Sequence, residues 1–176
     1  MSDLNRCGGL PVRDDRAGRW ISLIAVIAVA VMIFLFSAQE GDDSAMLSEG
    51  VTEWVLTVLV PGYADFTAAQ KLAYLERAGF AVRKLAHFSE FALLALTLSV
   101  HLHYRMRGGG RIALTAWVIA TLYAGTDELH QMFVGGRGPA LRDVAIDSAG
   151  ALVGAFAGVA LILLWHRLKR RRNRLA

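Results

Sequence analysis

Two histidines stand near carboxylates at the ends of two apolar segments, and this combination of side chains can move protons. Glu90 follows His87 by three residues, and Asp127 precedes His130 by three. A histidine oriented by a carboxylate can act as a general acid or base, and imidazole with carboxylates can also bind zinc or manganese. The spacing matches no zinc motif such as HExxH. We therefore take these four as candidate catalytic residues, predict no metal and no cofactor, and keep a hydrogen-bonded ionic network as the alternative.

Other polar residues beside the same apolar segments are candidates for ligand binding. Arg137 follows the Gly135-Gly136 turn, where a guanidinium could hold a phosphate or carboxylate through two hydrogen bonds. The remaining candidates are charged or can form hydrogen bonds between helices: Ser37, Gln39, Arg83, Lys84, Glu128, Gln131, Asp143 and Asp147. For the charged members, the alternative is a buried network of ion pairs that fixes the helices to one another.

Helical spacing predicts which of these side chains share a face. Asp127, His130 and Gln131 lie three or four residues apart and should share one face, from which Glu128 points away. A second stripe, on the preceding segment, consists of Arg83, His87 and Glu90.

Asp143 and Asp147 begin a stripe of small residues on the last segment. The stripe continues through Gly150, Gly154 and Gly158. Small residues at this spacing let a second helix approach closely inside a membrane. Both aspartates are therefore predicted to face the other helices and not the lipid.

Four apolar segments must position all of these residues. The chain has 176 residues, 55% of them hydrophobic, and its mean hydropathy is +0.43. A membrane-spanning helix needs about 20 apolar residues, and four such runs are predicted as spans at about 20–37, 84–103, 112–129 and 144–165. The predicted fold is an all-α integral membrane four-helix bundle. In an up-down-up-down bundle the polar residues above meet at one end.

The long segment between the first two spans is predicted to hold two short interfacial helices. The first would begin at Asp43 or Ser44 and end at Pro61-Gly62, and the second would begin at Thr67. Both show apolar residues at three- and four-residue spacing, which is typical of amphipathic helices.

Charge predicts the topology. Of the 19 basic residues, 13 fall on the side of the two termini and 6 on the other. The positive-inside rule therefore places both basic tails, 1–19 and 167–176, in the cytoplasm and the polar residues outside. The net charge of +4 then reflects contact with anionic lipid, not nucleic acid. The first segment is interpreted as an uncleaved anchor, and the single Cys7 allows no intramolecular disulfide.

The polar motifs, in their order along the chain, resemble those of the VanZ-like family. They are Phe36-Ser37-Ala38-Gln39, Arg83-Lys84-x-x-His87-Phe88-x-Glu90, and Asp127-Glu128-x-His130-Gln131 through Gly136-Arg137 to Asp143-Val144-x-x-Asp147. The resemblance implies a small bacterial membrane protein whose founding relative gives low-level resistance to the glycopeptide teicoplanin. It implies no particular reaction. One departure is Gly135, where the family more often has proline, and this bears on the shape of the turn.

Three functions fit these residues. The first is a non-enzymatic protein of the bacterial plasma membrane that binds or shields a cell-wall target and lowers glycopeptide access. The second is a small intramembrane enzyme acting on a lipid phosphate or a lipid-linked wall precursor. In that enzyme Arg83 and Arg137 would bind the anion, and His87 or His130 with Asp127 would move protons. The third is a proton-coupled transport subunit. It ranks last because four spans are few for a transporter and because no span is broken by proline at mid-membrane.

Overall fold

Helices form almost all of the computed structural model, which describes residues 15–38, 41–133 and 141–175, with the backbone alone for 41–48 and 175. Within these ranges there are five α-helices, one 3-10 turn (Tyr63–Asp65) and no strand. The helices are α1 (Arg16–Ser37), α2 (Gly41–Leu59), α3 (Ala68–Leu102), α4 (Gly109–Gln131) and α5 (Leu141–Leu175). The all-α fold class is confirmed.

Three of the described helices are long and apolar enough to cross a membrane. They are Arg16–Ser37, Ala68–Leu102 and Leu141–Arg174. Helix α4 contains the predicted third span but is not among them, because its uncharged apolar run has only 15 residues and is bounded by Arg111 and Asp127. A chain with four spans therefore stays a prediction, whereas the three apolar helices fit a membrane protein.

Helix α3 corrects the predicted outer region. The predicted second interfacial helix is not separate, because it forms the first part of a continuous 35-residue helix. Thr67 does cap it, as predicted: the Thr67 amide donates to Gln70 Oε1, and Thr67 Oγ1 accepts from the Gln70 amide. No proline follows Thr67 within α3, so nothing stops the helix before it enters the apolar run. The first helix, α2, ends at Leu59, just before the predicted Pro61-Gly62 stop.

Contacts at both ends show that α3 and α5 run in the same direction. Lys84 of α3 lies beside Asp143 of α5, and His103, which caps α3, lies beside His166 of α5. The two helices therefore lie parallel and side by side along most of their shared length.

Helix α1 is antiparallel to α3 and parallel to α4. Ser22, near the start of α1, forms a 3.1 Å hydrogen bond with His101 near the end of α3. Ser37, at the end of α1, accepts a 3.0 Å hydrogen bond from Gln131 at the end of α4. The directions of α1, α3, α4 and α5 therefore alternate along the chain.

The predicted glycine ridge of α5 lies directly against the backbone of α3. A Cβ atom on Gly150 would overlap the carbonyl group of Phe88, and one on Gly154 would overlap that of Ala92. Gly158 lies next, near Ser99. Without side chains at these positions, the two backbones approach closely and gain van der Waals contact, which drives helix association in lipid. This part of the prediction is confirmed.

Small side chains also form the core between the other helices. Alanines on α4 and α5 pack against Phe91 and Leu94 of α3 and Ile33 of α1; they are Ala113, Ala116, Ala120, Ala124, Ala151 and Ala155. Large apolar side chains remain exposed on α1, α4 and α5. Such a surface suits a lipid environment, where apolar exposure carries no penalty.

Candidate functional site

The helix directions bring polar side chains from four helices to one end of the structure. We call this the polar end and define it by Ser37, Lys84, His87, Glu90, Asp127, Glu128, His130, Gln131, Asp143 and Asp147. Two other predicted residues, Gln39 and Arg137, lie outside the described residues.

A buried amide links α1 and α4 at the polar end. Gln131 Nε2 donates to Ser37 Oγ at 3.0 Å and to Asp127 Oδ2 at 2.9 Å. An amide NH2 group carries two donors, so both bonds can form at once. All three side chains are buried. Ser37 therefore forms a hydrogen bond between helices, and Asp127 and Gln131 do share a face of α4.

Replacing Ser37 by alanine tests this link. We expect Ser37→Ala to lower the free energy of unfolding by about 1 kcal/mol, because Gln131 loses one buried acceptor. Ser89→Ala is the matched control, since exposed Ser89 bonds only to the Leu85 carbonyl of its own helix. Chemical unfolding of both variants in detergent micelles measures the difference. Equal effects would show that the link between the helices adds no stability.

One ion pair joins α3 to α5. Lys84 Nζ lies 2.5 Å from Asp143 Oδ2, and the two side chains are 18% and 25% exposed. The lysine approaches from α3 and the aspartate stands in the first turn of α5. For this pair the structure supports the predicted role of ionic contacts in fixing one helix against another.

Carboxylates concentrate around Asp147. Asp147 is 4% exposed, Asp127 5% and Glu128 8%. The charges of Asp127, Asp143, Glu128 and Glu90 all act on Asp147 electrostatically. In addition, Asp147 Oδ1 is buried without a hydrogen-bond partner among the described residues. Buried carboxylates are costly unless paired, so this concentration is a candidate functional site.

Glu128 is buried as well. Spacing places it off the face that carries Asp127, and its side chain still acts electrostatically on Asp147. Helix α4 contacts α1 as well as α3 and α5. Other helices therefore cover two adjacent faces of α4 near its C-terminal end. Asp127 and Glu128 point in different directions, and both face protein.

The two histidines have different surroundings. His87 Nδ1 lies 3.8 Å from Glu90 Oε2, which is an electrostatic contact longer than a hydrogen bond. The His130 ring packs on Phe34, with ring centroids 4.8 Å apart. Its Nε2 atom is buried and has no hydrogen-bond partner in the described part of the chain. Asp127 Oδ2 accepts a hydrogen bond from Gln131 and not from His130 Nε2, so an acid–base pair of Asp127 and His130 stays a prediction.

Arg83 differs in exposure from the other two members of its predicted stripe. Its side chain is exposed, whereas His87 and Glu90 are half-buried. Arg83 lines a cavity of about 330 Å³ beside α2, together with Glu49, Glu76, Leu72, Leu75, Gly79 and Phe80. Seven residues are almost two helical turns, so Arg83 and Glu90 point in nearly the same direction but lie about 10 Å apart along α3. Arg83 is at the level of the cavity beside α2, whereas Glu90 is at the level of the polar end.

Metal binding finds no support in the described ranges. Among residues 15–38, 41–133 and 141–175, no three histidine, cysteine or acidic side chains are arranged to hold an ion. Asp147 Oδ1 and His130 Nε2 are among the buried polar atoms that lack a hydrogen-bond partner within these ranges.

Polar contacts that were not predicted lie outside the polar end. The Tyr123 hydroxyl donates to the Ala30 carbonyl of α1 at 2.8 Å. Trp117 Nε1 bonds to Ser148 of α5, whose hydroxyl also contacts Thr121. The four-residue spacing of Trp117 and Thr121 was a signal for one polar stripe on α4.

The family comparison matches most of the chain. The model of the VanZ/LLP1 family matches residues 22–165, which include every described member of the polar end. Neither the curated proteins nor the solved structures give a match. The matched range runs from within α1 to within α5, covers most of both helices and agrees with the resemblance seen in the motifs. The chain therefore belongs to the VanZ/LLP1 family.

Proposed function

We propose that this protein is a multi-pass protein of the bacterial plasma membrane that affects glycopeptide susceptibility, teicoplanin in particular. Its polar end would face outward and bind a component of the cell envelope. Both the glycopeptide and the envelope follow from the family resemblance. The observation that carries a binding role is the buried group of Asp127, Glu128 and Asp147, in which Asp147 Oδ1 lacks a partner among the described residues.

The topology we propose has four spans and both termini in the cytoplasm. Helix α4 has 23 residues and so measures about 35 Å, enough for a hydrocarbon core of about 30 Å. The alternating helix directions support this arrangement, as does the excess of basic residues at the end opposite the polar end. A reporter fused near residue 139 should be external and one after Arg174 cytoplasmic. The reverse result for either fusion would contradict the topology.

An intramembrane enzyme is the second candidate, and His130 favours it. Its Nε2 atom is buried and lacks a partner in the described ranges, so it is available to exchange a proton with a bound substrate. Arg137 would hold the phosphate of a lipid or of a lipid-linked wall precursor. Arg83 would serve less directly in this mechanism, since it is exposed on the α2 side of α3.

Teicoplanin susceptibility of a bacterial strain lacking the gene tests both candidates. The strain would carry wild type, His130→Gln, Arg137→Gln or the control Arg77→Gln, an exposed arginine of α3. We expect wild type and Arg77→Gln to reduce susceptibility alike, and Arg137→Gln to abolish the effect at equal membrane abundance. Loss with His130→Gln as well would favour the enzyme, whereas retention would favour binding alone.

Two outcomes would overturn the proposal. If wild type leaves susceptibility unchanged, the glycopeptide role does not apply to this chain. If the variants lose their effect only in proportion to lost protein, the polar end is a structural network. Immunoblots of membrane fractions separate reduced abundance from reduced activity.

A further inference from the structure

The C-terminal part of α5 extends well past the apolar run. From Trp165 to Arg174 the helix rises about 14 Å, whereas the headgroup region of one leaflet is roughly 5–8 Å thick. Tryptophan is enriched at the boundary between hydrocarbon and headgroups. The turns that follow Trp165 therefore pass through the headgroup layer while they are still helical.

Basic and apolar side chains occupy adjacent stripes on this part of α5. A cavity of about 370 Å³, which we call the basic groove, is lined by Leu164, Arg167, Leu168, Arg170, Arg171 and Arg174. Leu161, Leu164 and Leu168 recur at three- and four-residue spacing and are about half exposed. The apolar stripe thus leads from the membrane-spanning part of the helix directly to four arginines.

A second groove continues the apolar surface between α3 and α5. It has a volume of about 220 Å³ and is lined by Val100, His103, Tyr104, Leu161, Ile162 and Trp165. Leu161 belongs both to this groove and to the apolar stripe. A hydrocarbon chain lying against Leu161 would therefore contact both α3 and α5 just below the arginines.

We propose that the basic groove binds one anionic phospholipid of the adjacent leaflet. The phosphate would pair with Arg167 and Arg171, which are one helical turn apart, and an acyl chain would lie along the leucine stripe toward Trp165. Guanidinium groups form paired hydrogen bonds with phosphate oxygens, and a cluster of four to eight basic residues beside a span is typical of anionic lipid binding. This site lies at the end opposite the polar end and is independent of its function.

Arg172 offers a matched control. It is exposed and belongs to the same basic run, but it does not line the groove, because one residue turns the helix by about 100°. Arg171→Gln and Arg172→Gln each remove one charge from neighbouring exposed positions. A general attraction to negative membranes would be weakened equally by both, whereas a defined site would be weakened by the first alone.

The experiment measures lipid binding by the purified full chain in neutral detergent. Native mass spectrometry would compare phosphatidylglycerol with phosphatidylcholine of the same acyl chains. We expect wild type and Arg172→Gln to prefer phosphatidylglycerol by at least about fivefold, and Arg171→Gln to lose most of that preference. Glycerol phosphate, which has the headgroup anion but no chains, should compete poorly. Leu168→Ser should weaken binding of the whole lipid and leave binding of glycerol phosphate unchanged.

Three results would overturn the proposal. Equal binding of the two lipids by wild type would show that no anionic site exists. Equal losses with Arg171→Gln and Arg172→Gln would show a diffuse charge effect. Strong competition by glycerol phosphate would assign the groove to a small anion instead of a lipid. Thermal unfolding without added lipid verifies that each variant is folded.

Discussion

Gly154→Ala is expected to destabilise the protein by about 3 kcal/mol, because it loosens the contact between α3 and α5. The new Cβ atom would overlap the carbonyl group of Ala92, which is backbone and cannot turn away as a side chain could. Overpacking typically costs about 1–3 kcal/mol. We expect a cost at the upper end of that range, because one of the two helices must shift along its length.

A second glycine provides the control for this prediction. Among the described residues, no atom of another helix lies within 4 Å of the position that a Cβ on Gly125 of α4 would occupy. Alanine favours a helix interior by about 1 kcal/mol over glycine, so Gly125→Ala should leave stability unchanged or raise it. Unfolding of both variants in detergent gives the comparison. If Gly154→Ala were as stable as Gly125→Ala, the close approach of α3 and α5 would not exist.

Removing Lys84 is expected to have the second largest effect. Lys84→Met leaves the Asp143 carboxylate without its ammonium partner in a site that is only 25% exposed. Breaking a buried ion pair costs about 3–5 kcal/mol, and an exposed pair contributes about 0.2–1. Breaking a pair of intermediate exposure should lower the free energy of unfolding by about 2 kcal/mol. Unfolding at equal ionic strength measures this change.

The double variant distinguishes the ion pair from a loss of packing. Lys84→Met combined with Asp143→Asn should be more stable than the sum of the single effects, because no charge is left unpaired. Coupling energies for residues in contact are about 0.5–3 kcal/mol. Additivity within about 0.5 kcal/mol would show that Lys84 acts through its hydrocarbon chain alone. Arg77→Gln, on the exposed surface of α3, should be neutral.

Local patterns in the sequence were sufficient to predict most of the helical segments, but not that α3 continues without a break from Ala68 to Leu102. The apolar runs that lie within α1, α3, α4 and α5, the Thr67 cap and the glycine ridge were all visible in the order of residues. Hydropathy, capping and three- or four-residue spacing depend on neighbours along one helix, so they can be recognised without knowing its partners. The family resemblance also followed from the motifs and was confirmed over residues 22–165.

Only the tertiary structure decided which polar side chains meet. The spacing that places Glu128 off the face of Asp127 could not show that it is buried near Asp147, because that burial depends on α4 having neighbours on more than one side. Arg83 shares helical spacing with His87 but is exposed beside α2. Spacing determines the direction of a side chain around its own helix, whereas burial depends on which other helices stand in that direction. The sequence by itself thus determined the helices and their polar ends, and packing determined the partners within the polar end.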